Sequence, residues 1–154
     1  MTTATAAFNI IKARLEANIP NDSLGNAVGL RWQNEDGDRL PDTPAPFIYT
    51  EFLADPAQLV SFGGGRTANR YRHPARIDFY IFVPRGWGLA EATTIAETVA
   101  ALFRSFRDTD ISCFEATVYP GGSGSDLKPP GLDSEVDNYF YATAEISMFF
   151  DLIG

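Results

Sequence analysis

Residues 138–152 read NYFYATAEISMFFDL, and their alternation decides the fold. Phe140, Ala142, Ala144, Ile146, Met148, Phe150 and Leu152 fall on one side of an extended chain. Tyr139, Tyr141, Thr143, Glu145, Ser147 and Asp151 fall on the other. A period of two sustained this long predicts a long strand with one buried face. RIDFYIFVP, residues 76–84, repeats the pattern: Ile77, Phe79, Ile81 and Val83 alternate with Arg76, Asp78, Tyr80 and Phe82. FEATVYP (114–120) sets Phe114, Ala116 and Val118 against Glu115, Thr117 and Tyr119, and FIYTEFL (47–53) is β-branched and aromatic. Both read as strands.

Between the strands the period changes. Leu89, Ala92, Ile95, Ala96, Val99, Leu102, Phe103 and Phe106 recur at helical spacing through 88–107. Glu91 and Glu97 stand toward the start and Arg104 and Arg107 at the end, matching the helix dipole. Residues 5–18 form a second amphipathic helix, with Phe8, Ile11 and Leu15 on one face, threonines for N-caps and Pro20 closing it. A short strand is expected at 28–32, inside a turn-rich stretch. The order predicts one α+β domain over residues 1–154. Its sheet is mixed and mostly antiparallel, with the N-terminal helix and the long helix on one face and the last two strands paired across their loop. Long loops are expected at 20–46, 62–75 and 120–137, the second containing a Pro74 that interrupts any regular strand.

The chain has 154 residues, enough for one buried core, with 45% apolar and 13% aromatic residues. A net charge of −8 speaks against a dedicated DNA-binding module. The charge is uneven, because Arg66, Arg70, Arg72, Arg76 and Arg85 fall within twenty positions. The single Cys113 excludes an internal disulfide and a cysteine-built zinc site. The first twenty residues are neither a signal peptide nor a membrane span, and a soluble intracellular protein is expected.

Motifs for chemistry fail on spacing. FGGGRTANRYRHP (62–74) lacks the second glycine and the lysine of a phosphate-binding loop and leads into a strand. GGSGS (121–125) has Ser125 where a nucleophile elbow needs glycine, and His73 is the one histidine that could serve as base. NEDGD (34–38) puts Trp32 and Thr43 where a calcium loop needs acids. His73 has no ligand cluster at metal spacing, and twenty acids offer carboxylate pairs without selecting one. No catalytic, cofactor or metal residue is therefore assigned. Arg66, Arg70, Arg72 and Arg76 share parity, so an extended segment shows them on one face. That face is either simply solvated or a contact surface for an acidic partner or nucleic acid.

A Gly/Arg loop leads into RIDFYIFVP. GWGLAEATTIAETVAALFRSF, a Pro/Gly-rich loop and an alternating final strand follow. This order, with the strand–Pro84–Gly86–Gly88–helix join, resembles the tail terminator (tail-completion) proteins of long-tailed phages and phage-derived particles. The resemblance implies a non-enzymatic virion structural protein forming a homohexameric ring at the head-proximal end of the tail, assembled in the host cytoplasm. Such a ring stops polymerisation of the tail tube protein and offers a joining surface to the head connector. DNA passes its lumen without specific binding, and neither membrane nor cofactor is involved. The contacts it suggests are the arm residues Arg66, Arg70, Tyr71, Arg72, His73 and Arg76, whose arginines would pair with acids of a neighbour or the tube. Tyr119, Tyr139 and Tyr141 on the non-core face are further candidates. Alternatives are another head–tail neck or adaptor component, or a small α+β ligand-binding domain or enzyme with a pocket of titratable groups.

Overall fold

A computed structural model describes residues 3–35, 43–61, 67–123 and 138–154. In chain order its elements are α1 (Ala4–Glu16), β1 (Gly29–Trp32), β2 (Phe47–Ala54), β3 (Gln58–Ser61) and β4 (Arg70–Pro84). They continue as α2 (Leu89–Phe103), β5 (Ile111–Ser123) and β6 (Tyr139–Ile153). The six strands form one sheet in the order β1-β2-β4-β6-β5, with β3 also alongside β4. β1 runs parallel to β2 and every other pairing is antiparallel, including that of the last two strands. This is the α+β architecture that the alternation predicts.

One face of the sheet carries the core. Ile77, Phe79, Ile81 and Val83 of β4 and Ala142, Ala144, Ile146, Met148 and Phe150 of β6 are buried against both helices. α1 contributes Ala7, Ile11 and Leu15, and α2 contributes Ile95, Ala96, Val99 and Phe103. Truncating a ring such as Phe79, stacked on Phe103 at 5.1 Å, to alanine should cost about 3–5 kcal/mol. Thr3 caps α1 by accepting from the Ala6 amide at 3.1 Å. The join into α2 needs backbone that side chains resist: Gly86 and Gly88 have φ of +94° and +90°.

Four expectations are corrected. Two expected loops are shorter: 70–75 is the first six residues of β4, preceded by a further strand, β3, and 120–123 belongs to β5. Pro74 does not interrupt β4, because its carbonyl accepts from the Asp55 amide at 2.9 Å. A residue's N and O point to the same side of a strand, so the missing donor faces the corner between β2 and β3, where no ladder bond is needed. α2 ends at Phe103 and Arg104 is already its C-cap, so Arg107 lies beyond the helix, bridged to Ser112. Finally, a register shift between Cys113 and Glu115 turns Phe114 away from the core that Ala116 and Val118 face. A bulge adds one residue and inverts the alternation there.

Candidate interaction surface

The second face of the sheet carries three bands. At the end where β4 runs toward α2, Phe47, Tyr49, Phe82 and Tyr139 form their own buried cluster, with Tyr80 and Tyr141 packed against it. Phe47 stacks on Phe82 at 4.8 Å, and the Arg31 guanidinium lies over Phe47 at 5.4 Å. Tyr139 is therefore no exposed contact residue: only 2% of it is accessible, because this end of the second face is covered too. Tyr141 is half-buried, and Tyr119, opposite Thr143, is exposed.

The middle band is acidic. Register sets Glu51, Asp78 and Glu145 side by side across β2, β4 and β6. Arg76 lies 3.1 Å from Asp78 and 3.9 Å from Glu145, and the Tyr80 hydroxyl lies 3.4 Å from Asp78 and 3.5 Å from Glu51. Burial pushes the Asp78 carboxyl above the ordinary aspartate value despite Arg76. Burial, then the charge of Asp78, does the same to Glu51. Burial also raises the Tyr80 and Tyr49 phenols. Among the described residues, Asp78 Oδ1 and the Tyr49 hydroxyl are buried without a hydrogen-bond partner.

The third band holds the arginines. Arg70 and Arg72 both grip Asp151 of the same chain: Arg70 through Nε at 2.8 Å and through Nη2, Arg72 through Nε at 2.9 Å and Nη2 at 3.1 Å. Hydrogen bonds from Arg72, outweighing burial and reinforced by Arg70, hold the Asp151 carboxyl below the ordinary aspartate value. Arg72 also lies 3.8 Å over the Phe149 ring, which meets the outward-turned Phe114 at 6.2 Å.

From Arg70 onward the expected arm is thus a strand bound to its own sheet. Arg70, Arg72 and Arg76 do share a face, and they already have acidic partners in their own chain. His73 points to the opposite face, stacked on Phe150 at 4.8 Å, and Tyr71 shares its parity. Arg66 lies outside the described residues, as do Asp36, Gly37 and Asp38 of NEDGD and Ser125 of GGSGS. What the alternation did not reveal is the partners: Asp151 meets Arg72 only because of the β4–β6 register.

Among the described residues no three His, Cys, Asp or Glu side chains are grouped to hold a metal ion. Cys113 is buried and its thiol is pushed up to about 11, so it is a poor nucleophile. One groove of about 510 Å³ runs past Leu53, Pro74, Arg76, Phe114 and Ser147, and another of about 470 Å³ past Gly86, Gly88, Leu89 and Phe140. No described helix is long and apolar enough to cross a membrane. The chain matches no protein-family model and no curated protein sequence.

Proposed function

We propose that the protein is a virion assembly subunit, a tail-terminator ring that caps the head-proximal end of a tail tube and presents a surface to the head connector. One observation carries this reading: besides Ile19 and Leu53, exposed apolar side chains stand in three separate places. Leu24 and Leu89 lie at the end where α2 begins, joined there by the Ser23 amide donating to Glu91. Leu59, Val60 and Ile153 lie at the opposite end, some 45 Å away along β4 at about 3.3 Å per residue. Phe114 and Tyr119 project from β5. A capping ring needs this distribution, with two unlike axial ends and lateral contacts between unlike surfaces. Of the features that carried the resemblance, the strands, α2 and the Pro84–Gly86–Gly88 join lie among the described residues, and most of the two glycine-rich loops does not.

The test is a mass measurement and negative-stain images of the purified protein, with and without tail tubes. Rings of tube diameter seated at one tube end are expected. Protein that leaves tubes untouched overturns the reading, and binding to the connector in place of the tube assigns it to the neck instead.

A further inference from the structure

We infer that the edge of β5 away from β6 pairs with β3 of a second copy, so that neighbouring subunits share one continuous sheet. This deepens the ring reading by naming its lateral contact, and it rests on that reading only for closure of the ring.

The outer side of β5 is occupied at its start. The Cys113 amide donates to Phe106 at 2.8 Å, Ile111 accepts from Asp108 at 3.0 Å, and Arg107 bridges Ser112. From Phe114 onward, β5 pairs only with β6 among the described residues. Its outward amides and carbonyls there form a template for another strand. Register shifts at 113/115 and 119/122 bracket a straight run from Glu115 to Tyr119. β3, Gln58–Ser61, is of similar length, exposed throughout, and pairs only with β4 among the described residues. Neither lysine nor proline, the usual guards of an edge, occurs from Phe114 to Tyr119.

The two edges are complementary. Phe114 and Tyr119 are 56% and 51% exposed, and Leu59 and Val60 are 38% and 45% exposed. Residues 108–119 contain Asp108, Asp110 and Glu115 and no cation, although Arg107 precedes them. Residues 58–61 and 67–72 contain Arg70 and Arg72 and no acid. A single carboxylate, Asp151, serves both arginines, and the Arg70 side chain stays 51% exposed. Within one chain the edges cannot meet, because β4 and β6 stand between them, three strand spacings or about 15 Å. The contact therefore forms between copies. Because its halves differ, it repeats from copy to copy until a ring closes.

Exposed positions on each edge test this by sedimentation: Phe114→Asp on β5, Val60→Asp on β3, and an equal mixture, with circular dichroism to verify folding. Each variant alone should be monomeric where the wild type assembles. The mixture should form dimers and nothing larger, since one intact β5 then meets one intact β3. Assembly of either variant alone, or a mixture that stays monomeric, overturns the inference. For weak assembly, oxidation of a Gln58→Cys/Thr117→Cys variant, whose two positions share the second face, should give a ladder of multimers at high concentration, and monomer alone overturns the inference. Rings of Phe114→Asp that still cap tubes would remove the edge contact and leave the proposed function standing. Edge pairing without tube binding would do the reverse.

Discussion

Asp78 and Asp151 lie on the same face of neighbouring strands, yet their carboxyls move in opposite directions from the ordinary aspartate pKa. Asp151 collects two guanidiniums and remains partly accessible, with a side chain 16% exposed. Asp78 is more deeply buried, shares Arg76 with Glu145, has Glu51 opposite it, and keeps one oxygen without a donor. The number of donors per carboxylate, set against burial, decides the sign. A basic cluster and an acidic cluster on one sheet thus have different roles. The first ties β4 to β6; the second is a cost that the rest of the core carries.

Among changes on this second face, the largest effect should come from Asp151→Ala. Removing the shared partner leaves Arg70 and Arg72 facing each other, and urea unfolding at pH 7 should show a loss of about 2 kcal/mol, between surface and buried pairs. Unchanged stability would mean that the two ion pairs are idle.

The pH profile separates the aspartates further. Asp151, with its folded pKa lowered, contributes stability above the unfolded aspartate pKa, and this is lost as pH falls through the folded value. Asp78 and Glu51, with folded pKa values raised, contribute below the unfolded value, and this is lost as pH rises through the folded values. Urea midpoints from acid to neutral pH should therefore show both limbs. Asp78→Asn should flatten the upper limb and raise stability at pH 7 by about 1 kcal/mol, since a buried, under-paired charge is gone. An unaltered upper limb would break the comparison.

The smallest effect is expected from Tyr49→Phe. Its hydroxyl is buried without a partner, so the change should stay within about 0.5 kcal/mol or stabilise slightly. A loss well beyond that would mean the hydroxyl makes a bond.

Most of the fold was legible in the sequence because its long strands bury one face each, and 77–83 and 140–150 record that directly. β3 was not, since four exposed residues, QLVS, leave no alternation. Proline hid the start of β4, because sequence does not say which side of a strand the missing donor faces. Phe114 misled through the bulge, and Tyr139 because alternation assigns a face without saying what covers it. On the candidate surface, parity placed Arg70, Arg72 and Arg76 together. Their acidic partners depended on register, which pattern alone leaves open.

The pairing of β4 with β6 along all fifteen residues has a consequence for biosynthesis. Among the described residues β5 has its sheet partner only in β6, which follows every other described element in the chain. A ribosome must therefore deliver β6 before β5 can join the sheet, and contacts this distant in sequence form slowly. A nascent chain thus has no finished β5 edge until β6 has emerged.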